Sequence, residues 1–192
     1  EIIRVVQAAA ALGMTKIRLT GGEPLVRSGI VDLVYQIAAI PGIEDIGLTT
    51  NAVLLEKLAG PLAKAGLRRV NISLDTLKPE RFQKITRFGS FDRTWQGILA
   101  AEQAGLAPIK LNAVIIRGVN DDELLDLARL SLTHPWHIRF IELMPIGNLQ
   151  AWGDDFPALP GRYMSVKDMR SRLEVLELVP TNAPLGSGPA RT

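Results

Sequence analysis

Five short apolar strands alternate with helical segments along this chain, and that order restricts the fold more than any other feature. A helix-spaced apolar pattern runs through about Leu12 and stops at Gly13, and the first strand spans Lys16 to Thr20. A helix from about Ser28 to Ile40 carries Ile30, Leu33, Val34 and Ile37 on one face and closes at Pro41-Gly42. The strand Ile46 to Thr49 follows. Asn51 then opens a helix that Gly60-Pro61 should distort near its end and Gly66 should stop. Arg69 to Leu74 is the third strand, followed by a short helix from Lys78-Pro79-Glu80 and another from Phe91-Asp92 to Ala104. Ile109 to Ile116 and Trp136 to Leu143 are the fourth and fifth strands, separated by a helix whose positive end faces Asp121-Asp122-Glu123. This spacing predicts parallel βαβ units, in which ligands bind beyond the carboxyl ends of the strands.

Downstream of Pro145 the alternation stops. The pattern there predicts one helix from Ser165 to Leu173, a short strand near 175–179, and a turn-rich stretch from Thr181 to Thr192. Residues 1–148 therefore read as one α/β unit and residues 149–192 as an extension.

The chain has 192 residues, of which 47% are hydrophobic and 22% charged, a globular composition large enough to bury roughly 70% of its extended-chain surface. With 22 basic against 20 acidic side chains, its charge is too balanced to indicate a nucleic-acid surface. No apolar run reaches bilayer length, and a cytoplasmic location is expected. Cysteine is absent, so none of these residues forms a disulfide or ligates a metal or iron–sulfur cluster through a thiolate. The first residue, Glu1, falls inside a helical pattern without an initiator Met, and the sequence reads as an excerpt of a longer polypeptide.

The expected strand ends carry polar clusters: Gly21-Gly22-Glu23, Thr49-Thr50-Asn51, Ser73-Leu74-Asp75 and Glu142-Leu143-Met144. Gly21-Gly22 lets backbone approach a ligand, and the Glu23 carboxylate suits an ammonium group. Each cluster alone is equally a set of helix caps and turns, but their recurrence at four strand ends points to a binding rim. Arg18, Lys110 and Arg139 occupy strands with apolar neighbours and can point into a barrel. There they would meet a triphosphate or carboxylate, or pair with Glu142 or Asp75. His134 and His137 are separated by Pro135 and read as turn or surface residues rather than metal ligands. Phe82, Phe88, Phe91 and Trp95 read as helix packing. The sequence has neither a phosphate-binding loop ending in Gly-Lys-Ser/Thr nor Gly-x-Gly-x-x-Gly.

The ordered motifs KIRLTGGEPLVR, IGLTTNAVLL, LRRVNISLDTL, IKLNAVIIRGVND and IRFIELMPIGN resemble the GTP 3′,8-cyclase family, radical S-adenosylmethionine enzymes of molybdenum cofactor biosynthesis. The resemblance covers almost the whole chain and resumes at Gly186-Ser-Gly-Pro-Ala-Arg191. It implies an incomplete parallel (β/α) barrel of the TIM-barrel type, holding S-adenosylmethionine and GTP. Carried onto matching positions, Gly22, Ser73 and Met144 would contact S-adenosylmethionine, with Gly21 and Glu23 shaping its amino-acid end. Arg18, Thr49 and Lys110 would contact GTP, and Arg139 is a further nucleotide candidate. The family chemistry is reductive cleavage of S-adenosylmethionine by a 4Fe-4S cluster to a radical that takes hydrogen from the GTP ribose. The product is (8S)-3′,8-cyclo-7,8-dihydroguanosine 5′-triphosphate, on which a cyclic pyranopterin monophosphate synthase then acts.

The sequence departs from the family pattern in lacking both cysteine motifs that hold its two clusters, the second of which lies beyond the C-terminal extension. These residues alone should therefore be inactive. A cluster-free barrel that binds a nucleotide or adenosyl ligand is the alternative reading, and a homodimer is an expected assembly.

Overall fold

The computed structural model describes residues 1–144 and 161–178. Five strands, β1 (Lys16–Leu19), β2 (Asp45–Thr50), β3 (Arg69–Ser73), β4 (Ile109–Ile115) and β5 (Trp136–Glu142), form one parallel sheet in sequential order. Helices α1 (Ile2–Ala11), α2 (Ile30–Ala38), α3 (Leu55–Ala65), α4 (Pro79–Thr86), α5 (Phe91–Gln103) and α6 (Leu124–Thr133) connect or flank them. A seventh helix, α7 (Val166–Leu173), starts at Ser165, whose side chain accepts from the Asp168 amide.

Sequential parallel order with all the described helices on one face is the arrangement of a (β/α) barrel wall. A doubly wound sheet would reverse its strand order and place helices on both faces. Ile46 and Leu48 of β2, Val70 and Ile72 of β3, and Ile109 and Leu111 of β4 pack against Val34 and Ile37 of α2, Leu55 and Leu62 of α3, and Ile98 of α5. A second cluster joins Ala113 and Ile115 of β4 to Leu124 and Leu127 of α6 and Met169 and Leu173 of α7. Because side chains alternate along a strand, the remaining strand residues share the opposite face, where no helix lies among those described.

Several boundaries differ from the sequence reading for local reasons. Asn51 does not open α3. Its Oδ1 accepts from the Val53 amide in a tight turn, Ala52 adopts φ +64°, and the helix begins at Leu55. Pro61 lies within α3 without ending it, because Ala59, Leu62 and Ala65 are anchored in the core on the other side. The strand expected near 175–179 is instead a single 3-10 turn, Glu174–Leu176.

The packing of α5 over the turn at Ala52 leaves no room for a side chain at Gly97. A Cβ there would sit 2.1 Å from the Ala52 carbonyl oxygen, while Thr94 Oγ1 donates to the Asn51 carbonyl at 3.1 Å. Gly97→Ala, which favours an isolated helix, is expected to destabilise this protein by about 2 kcal/mol through overpacking. Urea unfolding measures it, and an unchanged midpoint would contradict the close approach.

Candidate active site

The helix-free face of the sheet is polar and cationic. Its residues fall into rows across the strands: Lys16 beside Asp45; Arg18, Gly47 and Arg69; Thr49, Asn71, Lys110 and His137; and Ser73, Asn112 and Arg139. Neighbours in a row stand about 4.8 Å apart. The described strand residues of this face carry five cations, Lys16, Arg18, Arg69, Lys110 and Arg139, against one carboxylate, Asp45. The sequence-predicted nucleotide residues Arg18, Thr49, Lys110 and Arg139 therefore all lie on one face.

Asp45 is committed to Arg69. The guanidinium donates from Nε to both carboxylate oxygens at 2.9 and 2.8 Å, and Nη2 approaches Oδ2 at 2.7 Å. It reaches Asp45 by crossing β2 at Gly47, where an added Cβ would meet Arg69 Cζ at 3.2 Å. This bidentate pair occupies the amino-terminal end of the face.

Lys110 lies at the centre and is only 4% exposed. Burial pushes its ammonium below the usual lysine range, and the guanidiniums of Arg139, Arg69 and Arg18 add to the shift against the opposing pull of Asp45. Desolvation and the Lys110 charge likewise lower His137. Concentrated positive charge of this kind attracts anions, since a polyanionic ligand would relieve both the repulsion and the desolvation.

The carboxyl-terminal rim is built by cross-strand ties. Gly21 has φ +154°, a conformation open to glycine, and no atom comes within 4 Å of where a Cβ would stand at Gly21 or Gly22, so their backbone faces open space. Glu23 holds this turn against β2: its carboxylate accepts from Thr50 Oγ1 at 2.7 Å, the Asn51 amide at 2.8 Å and the Leu25 amide at 3.0 Å. Ser73 ends β3 on the polar face, and Met144, 66% exposed, follows the end of β5. One rim thus brings Gly21, Gly22, Glu23, Ser73 and Met144 to the same end of the sheet. The Gly186–Arg191 motif lies outside the described residues.

Two loops clamp the rim between β3 and β4. Asp75 Oδ1 accepts from the Val114 amide at 2.8 Å, and burial pushes its carboxyl upward. Asn120, fully buried, donates to the carbonyls of Asp75 and Val114 and accepts from the Ile116 amide. Glu123, 1% exposed, accepts from Thr76 Oγ1 and the Leu77 amide and pairs with Arg81.

Beside this clamp, Asp122 is bound by Arg81 and Lys78 and is held down to about 2, with Arg81 the largest cause. A depressed folded-state pKa gives stability that is present above the unfolded value near 3.9 and lost as pH falls through about 2. The side chains of Asp122 and Lys78 are about half exposed, so this contribution should stay under about 1 kcal/mol. Asp122→Asn is expected to lower stability at pH 6 by that amount and to converge with the wild type near pH 2. Parallel acid-unfolding curves would refute the pairing.

His134 and His137 part company. His134 stacks on Trp136 at 3.8 Å and approaches Glu102 at 3.3 Å, whereas His137 joins the Lys110 row. Phe82, Phe91 and Trp95 form a chain of ring contacts ending on Trp136. Phe88 does not pack: it is 97% exposed, on a turn where Arg87 takes φ +65°.

The family model described as the radical SAM superfamily matches residues 1–131. The chain belongs to the radical SAM superfamily. It is 54% identical over 187 residues to a GTP 3′,8-cyclase of Moorella thermoacetica, covering 96% of this chain and 57% of that protein. It is 50% identical over 193 residues to a GTP 3′,8-cyclase of Pelotomaculum thermopropionicum, covering 100% of this chain and 58% of that one. The chain thus spans less than three-fifths of the length of these relatives. Among solved structures, coproporphyrinogen III oxidase of Escherichia coli, a radical SAM enzyme, superposes with TM-score 0.65 at 12% identity, covering 92% of this chain and 44% of that one. A radical SAM methyltransferase of Sphaerobacter thermophilus gives TM-score 0.64 at 19% identity, covering 92% and 52%. These likenesses support an incomplete (β/α) barrel, in keeping with the open five-stranded sheet.

The rim of this radical SAM domain fits the cofactor that names the superfamily: open glycine backbone, an exposed serine and an exposed thioether stand at one end of the sheet. The cluster does not find thiolate ligands here, since the chain has no cysteine. Sequence reasoning missed Arg69, Asp45 and Asn71 as members of the polar face. The alternation of β3 carried that signal, because Asn71 is flanked by the outward apolar residues Val70 and Ile72.

Proposed function

We propose that this chain is the ligand-binding barrel segment of a GTP 3′,8-cyclase acting in molybdenum cofactor biosynthesis. The observation that carries the reading is the buried Lys110 among Arg18, Arg69 and Arg139, facing the side of the sheet where no helix lies among those described. Such a face selects a polyanion, and 50–54% identity to proteins of that name makes GTP the polyanion proposed.

In this reading Arg18, Thr49, Lys110 and Arg139 hold the nucleotide, with the cations neutralising its phosphates. Gly22, Ser73 and Met144 contact S-adenosylmethionine, and Gly21 and Glu23 shape its amino-acid end, Glu23 by fixing the turn. Bound S-adenosylmethionine, with a cluster ligated outside these residues, supplies the radical chemistry. The residues of this chain orient the two ligands on adjacent rows and keep water away. The partial barrel is read in residues 1–148 and a separate extension in residues 149–192, and both 4Fe-4S clusters of the family chemistry take their ligands from outside this cysteine-free chain. The protein works in the cytoplasm as a homodimer, and its product passes to a cyclic pyranopterin monophosphate synthase. No described helix is long and apolar enough to cross a membrane.

Equilibrium dialysis of the full-length protein against GTP and S-adenosylmethionine tests the assignment. Saturable binding of both is expected. Binding of neither, in a folded and reconstituted sample, would overturn it.

A further inference from the structure

His137 stands in the row of Thr49 and Lys110, and the nucleotide set Arg18, Thr49, Lys110 and Arg139 leaves it unused. The register puts it directly across from Lys110, at the ordinary strand spacing of about 4.8 Å. Trp136 and Ile138 on either side pack outward against the helices, so the imidazole shares the cationic face, where it is exposed. Lys110 faces it from β4, and Arg139 follows two positions along β5. The other charged groups packed around β5 are engaged elsewhere. Glu102 of α5 accepts from Trp136 Nε1 and is approached by His134, and Asp126 and Arg129 of α6 pair with each other. Arg172 and Asp168 of α7 pair with Asp121 and Arg117, and Glu142, at the far end of β5, accepts from the Val166 amide. His137 therefore has cations beside it on this face, while each of these carboxylates is held by another group.

We infer that His137 is a further contact for the phosphates of the bound nucleotide and takes up a proton from solvent when they arrive. Without ligand, partial burial and the Lys110 ammonium hold its imidazole below the usual histidine range, so near neutral pH it is largely uncharged and adds little to the repulsion around Lys110. Phosphate oxygens lodged beside Lys110 and Arg139 reverse that balance. They favour the imidazolium and accept a charge-assisted hydrogen bond from it. A permanent cation here would raise the repulsion in the empty site, and a neutral amide would offer no charge to the filled one, whereas histidine serves both states. A ligand that raises the imidazole pKa binds together with a proton. The gain in affinity is therefore full below the ligand-free value and lost as pH rises through the bound-state value. The inference rests on the proposed binding of GTP.

The test compares full-length wild type, His137→Gln and His137→Arg by titration calorimetry with GTP, with ligand-free melting as a second readout. Because each comparison is made on one ligand at one pH, the titration of the GTP phosphates themselves cancels. His137→Gln should bind GTP about tenfold more weakly than the wild type near pH 6 and within about twofold of it near pH 8.5. Repeating the titration near pH 7 in two buffers of different ionisation enthalpy counts protons, and the wild type should take up about half a proton more per GTP than His137→Gln. His137→Arg, whose charge is fixed, should bind more tightly than the wild type near pH 8.5. S-adenosylmethionine affinity should stay within about twofold in both variants. A wild-type to His137→Gln ratio that is flat with pH, equal proton uptake, or losses that track a lowered melting temperature in both variants would overturn the role. Wild type that fails to bind GTP would overturn the proposed function along with it, whereas GTP binding by the wild type with no pH-dependent loss in His137→Gln defeats this inference alone.

Discussion

Lys110→Met should weaken GTP binding by about 100-fold while leaving the ligand-free protein at least as stable as the wild type. The two effects have one cause. A lysine that is 4% exposed and near Arg139, Arg69 and Arg18 is held in the folded state at a cost in desolvation and repulsion. Methionine keeps the length and apolar stem and removes the charge. With nucleotide bound, the same ammonium makes a charge-assisted contact, for which about 1.5–3 kcal/mol is typical, and the upper part of that range corresponds to a 100-fold change. The pH dependence gives an independent readout. Because the folded-state value of Lys110 lies below its unfolded value near 10.4, the unfolded chain binds more protons between the two, and stability attributable to this group rises with pH across that interval. Lys110→Met should lose that rise. A variant with wild-type GTP affinity, or one that unfolds several degrees earlier without ligand, would show that Lys110 is a structural cation.

Glu23→Ala should destabilise the protein by about 3 kcal/mol and lower its melting temperature by about 9 °C. Three donors lose a charged acceptor at once. Thr50 is itself buried, and its Oγ1 also accepts from the Ala52 amide, so the loss spreads from the glycine turn into the turn on which α5 rests. Glu23→Gln is not conservative here. If its remaining oxygen serves Thr50 Oγ1 and Leu25, its Nε2 opposes the Asn51 amide, setting donor against donor. It should recover less than half of the loss. Because the carboxylate fixes the Gly21–Gly22 turn, both variants should also weaken S-adenosylmethionine binding, by about tenfold, and GTP binding less. Thermal melts and dialysis on the same samples measure both effects. Unchanged stability in Glu23→Ala would mean that the turn is held by other contacts.

How far the sequence carried the fold follows from the range of each interaction. All five strands and their parallel order were legible because short apolar runs bounded by glycine, proline and asparagine are local signals. The inward set Arg18, Lys110 and Arg139 was legible for the same reason, since alternation along one strand fixes its two faces. What escaped was set by partners far along the chain. Arg69 reaches Asp45 only because Gly47 lies between them in the sheet, and Gly47 reads locally as a weak strand residue. Asn51 looked like a helix start because its capping chemistry is real, but Gly97, 46 positions later, brings α5 onto that turn. Phe88 shared the composition of a packed aromatic cluster, yet the turn at Arg87 and Gly89 carries it outward.

The most direct test of the central claim is turnover. The full-length protein, reconstituted anaerobically with iron and sulfide, is given GTP, S-adenosylmethionine and a reductant, and the products are separated and identified by mass and NMR. The account predicts (8S)-3′,8-cyclo-7,8-dihydroguanosine 5′-triphosphate and 5′-deoxyadenosine in equal amounts, both falling together in Lys110→Met at limiting GTP. Saturable binding of both ligands with neither product formed would contradict it, and would leave a barrel that holds a nucleotide without transforming it.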